Sequence, residues 1–279
     1  MKPVLPFLET MATQVCNISC LGCTNYSDIT QSGYVTWADL KSQLTPWLDI
    51  IDIPDFGIMG GEPLINPQIK DILLGVRKLM PTSQIRFTTN GLLLHKHRDI
   101  IDLMEEIGNC VFKITVHLKD ETLEDIIKEI HTKFKWDPVY EFGINRFKTK
   151  NNFKFQVNRP STFIKTYRNS YNDMMPYNSV PTESFDSCIQ QTCPLLHQGI
   201  IYKCSTQGLL KETLSKFGNP NIEDWAPYLN GGISTNSKLE TITEFISNFG
   251  KPHQQCAMCP SPQDAKIAFI THIGKRNGR

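Results

Sequence analysis

No run of this chain is long and apolar enough for a membrane span. Neither sign of charge prevails, with 29 Lys and Arg against 28 Asp and Glu and a net charge of +1. That balance leaves no basic field for nucleic acid or a membrane surface to grip. The opening Met1-Lys2-Pro3-Val4-Leu5-Pro6 lacks the apolar core of a secretory signal. A disulfide framework is missing too: the nine cysteines cluster at metal-like spacings, which suits a reducing compartment, and the cytoplasm is the expected location. The composition is that of an ordinary globular protein, 40% hydrophobic and 20% charged, and 279 residues suffice for one large domain and a small appendage.

What is present is a tight cysteine trio. Cys16, Cys20 and Cys23 lie in Val15-Cys16-Asn17-Ile18-Ser19-Cys20-Leu21-Gly22-Cys23. A spacing of three residues and then two lets three thiolates of one loop converge on a single metal centre. Four thiolates close a structural zinc site or an ordinary four-iron cluster, whereas three leave a position open. An open iron binds and activates something, which separates a cofactor site from a staple. A zinc knuckle, or three unrelated buried thiols, is the alternative. Further on, Met59-Gly60-Gly61-Glu62-Pro63 follows the apolar run Phe56-Gly57-Ile58. Paired glycines at a strand's end let backbone come close to a ligand, although Gly-Gly-Glu-Pro is also a common turn.

The CX3CX2C loop and the Gly-Gly-Glu-Pro stretch 37 residues after it resemble the signature of the radical S-adenosylmethionine (radical SAM) superfamily. The resemblance implies that Cys16, Cys20 and Cys23 hold three irons of a 4Fe–4S cluster and that SAM chelates the fourth. It implies that Gly60, Gly61, Glu62 and Pro63 bind the amino group of SAM. An electron from a donor such as a flavodoxin or ferredoxin would cleave SAM to a 5′-deoxyadenosyl radical, which takes hydrogen from an unactivated C–H bond. The family often has an aromatic residue before the third cysteine, beside the adenine. Here that residue is Gly22, and Tyr26 is the ring that could replace it. Asn90, in Thr88-Thr89-Asn90-Gly91, is a candidate for the ribose or adenine, the alternative being a left-handed turn at Asn90-Gly91.

Over the first 160 residues β-rich runs alternate with helical ones. The expected strands are Thr10 to Val15, Phe56 to Met59, Ile85 to Thr89, Val111 to Leu118, Tyr140 to Ile144 and Phe153 to Val157. One helix is expected from Thr36, capped with Asp39 and kinked or split by Pro46, and another capped by Asn66 with Pro67 at its first position. This alternation predicts an α/β fold, an open partial (β/α)6 parallel barrel, which is also the fold the resemblance implies. Ligand groups then belong at the C-terminal strand ends. His117 could face that mouth or merely pack. Asn158 and Arg159 could meet a substrate carboxylate, and Cys110 reads as a buried apolar thiol.

After residue 160 the rhythm fails. Asn169 to Glu183 is polar, with prolines at 176 and 181, and reads as a linker or lid. The expected division is a barrel over 1–165, a linker over 166–187 and a cysteine-rich extension over 188–279. In the extension Leu195 to Tyr202 alternates around Gly199 as a β-hairpin would, and Ser237 with Glu240 predicts a capped amphipathic helix. Four of the five cysteines there could enclose a metal, and zinc would serve. The arrangement resembles the Twitch or SPASM extensions of radical SAM enzymes, and with one CxxC the shorter Twitch form. That resemblance implies an auxiliary 4Fe–4S cluster on Cys188, Cys204, Cys256 and Cys259, with Cys193 as the alternative to Cys188.

The expected protein is a radical SAM enzyme of oxidoreductase type. A fully thiolate-ligated second cluster would pass electrons and favour net oxidation of the substrate. The first expected strand begins near residue 10, with no peptide-recognition domain ahead of it, which favours a small molecule or a peptide delivered by another protein. The alternatives are an activase installing a glycyl radical on a partner protein and a non-catalytic zinc or iron–sulfur binding protein.

Overall fold

A computed structural model describes residues 2–29, 33–141, 144–160, 163–267, 269–270 and 273–275. Strand β1 (Leu8–Met11) leads past a short β2 (Ile18–Cys20) to helix α1 (Trp37–Ile50). Then β3 (Asp55–Met59) feeds α2 (Ile69–Leu79), β4 (Gln84–Thr89) feeds α3 (Asp99–Ile107), and β5 (Cys110–Thr115) feeds α4 (Glu121–Lys133). The antiparallel pair β6 (Asp137–Glu141) and β7 (Ile144–Lys148) precedes β8 (Phe153–Asn158). Beyond β9 (Phe163–Ile164) and α5 (Pro181–Asp186), a hairpin forms from β10 (Leu195–His197) and β11 (Ile200–Tyr202). Helices α6 (Ser205–Gly208), α7 (Leu210–Phe217), α8 (Ile222–Trp225), α9 (Leu239–Ser247) and α10 (Pro262–Ile267) follow, then β12 (Phe269–Ile270) and β13 (Ile273–Lys275). Among the described residues, no helix is long and apolar enough to cross a membrane.

The main sheet runs β11-β10-β1-β3-β4-β5-β8-β7-β6. Its six strands from β10 to β8 are mutually parallel, the open α/β partial barrel that the alternation predicts. One member is not the expected one. Tyr140 to Ile144 is divided between β6 and β7, which pair antiparallel. A parallel neighbour needs a crossover of a dozen or more residues, and too few separate Ile144 from Phe153. The sixth parallel place goes instead to β10, which joins the far side of β1 with Glu9 opposite Leu195.

Alternate residues of the parallel strands face the helices. Leu8, Phe56, Ile85, Phe87 and Phe112 are fully buried there, against Leu44, Trp47, Ile72 and Val76. The capping box of Thr36 and Asp39 forms as expected, but α1 continues through Pro46 without a break. A proline inside a helix costs about 3 kcal/mol. Burying Leu40, Leu44 and Trp47 outweighs it, at about 1.5–3 kcal/mol for each side chain. Asn66 does not cap α2, which starts after Gln68. Its amide donates instead to Ala12 O at 2.9 Å and Val35 O at 2.8 Å, tying the turn to the segment after β1. Nor does Ser237 cap α9: its hydroxyl accepts from Ser234 N at 3.0 Å.

A second core holds Tyr26, Tyr167, Met174, Leu209, Trp225 and Met258. It locks the stretch after the first cysteine loop to the segments that carry the later cysteines. The C-terminal ends of β1, β3, β4 and β5 thus meet the later cysteines along one edge of the sheet.

Candidate functional site

The chain leaving β1 does not turn away from its neighbour. Ala12 N donates to Met59 O at 2.6 Å, Gly61 N to Thr13 O at 2.7 Å and Glu62 N to Val15 O at 2.8 Å. The two backbones therefore run together up to the cysteine loop, and this contact dictates the glycines. A Cβ on Gly60 would lie 2.6 Å from Thr13 O, and one on Gly61 would lie 2.3 Å from Val15 O. The pair stays bare because the chain's own backbone occupies the space.

Glu62 follows and is wholly buried. Its carboxylate accepts from Leu64 N at 3.0 Å, Thr89 Oγ1 at 2.6 Å and Asn90 N at 2.8 Å. Burial pushes it up to about 7, although those three bonds pull the other way. Glu62 thus ties the glycine turn to the end of β4 from below, with Pro63 buried beside it. Asn90 is set by that tie. Its amide donates to Asn17 Oδ1 at 2.7 Å and lies 3.8 Å from Cys16 Sγ.

Cys16 and Cys20 are buried and Cys23 is partly exposed. All three line one cleft, together with Gly60, Gly61 and Asn90, and His117 and Thr115 form its far wall. Burial raises the Cys20 thiol, and Cys23 and Cys16 add to the rise, as expected of sulfurs facing one point. Burial also pushes Cys23 up to about 11, with the Asp28 carboxylate adding to it. His117 is held down at about 4 by burial, so its ring is neutral. Gly22 has φ +79°, a left-handed conformation, and a Cβ there would meet the Lys165 backbone at 3.1 Å. An aromatic residue at that position would be strained by the loop's own backbone.

Tyr26 lies away from the Gly22 position. It is fully buried in the second core, 6.3 Å between ring centroids from Tyr167, and it does not line the cleft. Arg159 is likewise elsewhere, in an exposed two-pronged pair with Glu124 at 2.6 and 2.8 Å. Asn158 accepts from Gln156 Nε2 at 2.8 Å. Cys110 is buried beneath the sheet, its thiol donating to Gly108 O at 3.1 Å.

Four later cysteines come together. Cys188, Cys204, Cys256 and Cys259 line a single small cavity. Backbone N–H groups already point at two of the sulfurs, from Gln190 to Cys188 at 3.2 Å and from His253 to Cys256 at 3.4 Å. Cys259 is raised by burial first, then by Cys204, Cys188 and Cys256, so the four sulfurs feel one another. Cys193 lies apart from that cavity. After burial, its thiol feels Glu9 and Lys113 on the sheet more than Cys204 or Cys188. Among the described residues, no three His, Cys, Asp or Glu are gathered tightly enough for one metal ion.

Sequence reasoning missed three features. Lys203 lines the second cavity, its ammonium donating to Gln191 O at 2.7 Å, and its adjacency to Cys204 was the available signal. Thr24, Ile164 and Ile189 line both the first cleft and a pocket against Cys188, Cys204 and Cys259, so one thin wall separates the centres. Thr206 Oγ1 donates to Thr24 O at 3.1 Å and Gln190 Nε2 to Thr24 Oγ1 at 3.2 Å, fastening that wall. No short-range pattern carries such contacts.

Three thiols line one cleft and four line a second cavity, at the C-terminal edge of a partial parallel barrel of α/β type. Residues 11–142, which carry the first cysteine loop, match the model described as the Radical SAM superfamily. A GTP 3′,8-cyclase of Clostridium perfringens is 27% identical over 157 residues, 55% of this chain and 46% of that protein. Molybdenum cofactor biosynthesis protein 1 of Dictyostelium discoideum is 25% identical over 154 residues, 54% of this chain and 23% of that one. The alignments thus span about half or less of these curated relatives. A crystal structure of BtrN in complex with AdoMet and 2-DOIA shares the fold across 93% of both chains, at a TM-score of 0.51 and 15% identity.

Proposed function

We propose that this chain is a radical SAM enzyme in which Cys16, Cys20 and Cys23 hold a 4Fe–4S cluster open to SAM, and Cys188, Cys204, Cys256 and Cys259 hold a second cluster. The observation that carries this reading is the first cleft, where three thiols of one loop face the bare backbone of Gly60 and Gly61. When bound, the cluster and SAM supply reductive cleavage to a 5′-deoxyadenosyl radical and hydrogen abstraction from an unactivated C–H bond.

The chain's own residues do the rest. Gly60 and Gly61 present backbone without side chains to the SAM amino group. Glu62 and Pro63 sit behind them, and Glu62 holds Asn90 in place through the Asn90 N–H. Asn90 stands between the cysteine loop and β4, where it orients Asn17 and screens Cys16. His117, neutral in its buried wall, bounds the space left for substrate.

The second centre supports net oxidation, since four thiols leave no place for substrate and one thin wall parts the two sites. Zinc held by the same four thiolates is the alternative occupant, and metal analysis tells the two apart. The body over 1–165, the link over 166–187 and the cysteine-rich part over 188–279 then divide the work, with β10 lending a strand to the body. A small molecule is favoured over a peptide, since the cyclase relatives act by name on GTP. The electron donor is a flavodoxin or ferredoxin.

The test is anaerobic reconstitution, reduction with dithionite, addition of SAM and detection of 5′-deoxyadenosine by mass spectrometry. Formation in the parent and its loss in Cys23→Ala is the expected result. Zinc without iron and acid-labile sulfide, or cleavage indifferent to Cys23, refutes the reading.

A further inference from the structure

Lys203 is only 6% exposed, and a lysine is almost never buried so far unless something anionic faces it. Its place follows from the hairpin. The chain leaves β11 at Tyr202 and enters α6 at Ser205, which sets Lys203 and Cys204 side by side on the wall of the second cavity. Lys203 N donates to Gln207 Oε1 at 3.1 Å and fixes the backbone there. Two other segments fix the side chain: its ammonium donates to Gln191 O at 2.7 Å and lies 5.2 Å from the centre of the Phe185 ring. Phe185 and Gln191 line the same cavity as Cys188, Cys204, Cys256 and Cys259. Among the described residues, Lys203 is the only charged side chain on its wall.

An ammonium has three N–H donors, and among the described residues one of them is used. Burial lowers the Lys203 ammonium below the usual lysine range, and the groups that oppose this are Cys256, Cys204, Cys188 and Cys193. No carboxylate stands among them. A buried ammonium is costly when isolated, and neutral thiols offset little of that cost. Thiolates around an iron–sulfur centre offset it well, because they make the cavity anionic and the lysine its counter-charge.

We propose that Lys203 sets the reduction potential of the second centre, its cation stabilising the reduced, more negative form of a cluster held by Cys188, Cys204, Cys256 and Cys259. The assignment deepens the two-cluster reading and rests on it. A cluster's potential follows its net charge, the hydrogen bonds to its sulfurs and its exposure to solvent. An added electron makes the centre more negative, and a cation fixed on the cavity wall favours that form. Burial keeps salt from screening the pair. The centre therefore accepts an electron more readily, the direction that drawing one from a substrate radical requires.

The test is a redox titration followed by electron paramagnetic resonance. It uses the reconstituted full-length chain carrying Cys16→Ala, Cys20→Ala and Cys23→Ala, so that only the second centre is read. In this background Lys203→Met should keep the iron and sulfide content. It should lower the equilibrium constant for one-electron reduction at least tenfold, a midpoint about 59 mV more negative. Lys203→Arg, which keeps the charge, should stay within threefold of the lysine. Equal midpoints for methionine and lysine overturn the proposal. A drop that Lys203→Arg shares overturns it as well, since packing rather than charge would then be at work. If Lys203→Met takes up no iron, Lys203→Gln is titrated in its place, and failure of both to load makes Lys203 a structural prop and overturns the proposal. Zinc, or no cluster at all, in the chain that keeps Lys203 is a different failure, that of the two-cluster reading.

Discussion

Replacing Gly61 with Ala separates two reasons for a bare backbone. If the glycine only admits a ligand, the apo protein tolerates a methyl group. The structure says otherwise, for the new Cβ would lie 2.3 Å from Val15 O, 2.5 Å from Val15 C and 2.9 Å from Cys16 N. Three backbone atoms cannot give way as a flexible side chain would. The strands must part by about 1 Å to reach ordinary van der Waals contact. The bonds Gly61 N to Thr13 O and Glu62 N to Val15 O lie in that seam. Losing both at about 1 kcal/mol each, with about 1–3 kcal/mol of overpacking, destabilises the fold by roughly 3–5 kcal/mol. For a chain of this size that lowers the melting temperature by roughly 10 °C. The assay is calorimetric melting of the apo protein, with iron and sulfide counted per chain after reconstitution. We expect low melting and poor cluster loading together, because the cysteine loop hangs from this seam. An apo melting temperature within about 2 °C of the parent, with only SAM affinity reduced, would refute the reasoning.

Three other outcomes are expected. Glu9 is raised to about 8 by burial, against the pull of Lys113 and Arg86 and with the Cys193 thiol nearby. Since this lies above the ordinary 4.5, the folded state binds a proton that the unfolded state has released, and stability falls as pH rises from 4.5 toward 8. Chemical denaturation across that range should show the fall in the parent and a flatter line in Glu9→Gln. Cys188→Ala should lose the iron of the second centre while Cys193→Ala keeps it, as iron and sulfide analysis will show. Arg159→Ala should leave 5′-deoxyadenosine formation at the parent level and change stability by under about 1 kcal/mol, because its pair with Glu124 is exposed.

The strands, the helices and the first cysteine trio were legible because each is a short-range property. Residues three or four apart in Val15 to Cys23 cannot avoid one another, so their spacing reports their geometry directly. The antiparallel pairing of β6 and β7 was also legible in principle, from the short connection to β8, but strand patterning alone does not encode direction. Pro46 and Asn66 misled for a different reason. Each has a strong local preference, and each is overruled by contacts with residues that meet it only in the fold, Trp47 against the sheet and Ala12 and Val35 around the turn.

The sequence by itself determined the α/β rhythm, the CX3CX2C loop and the set of later cysteines, because connectivity and periodicity impose them. Only the tertiary structure decided which of Cys188 and Cys193 joins Cys204, Cys256 and Cys259, that β10 completes the parallel sheet beside β1, and that Glu62 serves Asn90 from beneath. It also turned Tyr26 inward and, among the described residues, left Glu9 Oε1 without a hydrogen-bond partner. Each of these depends on packing between segments distant along the chain, and such contacts leave no periodic trace in the sequence.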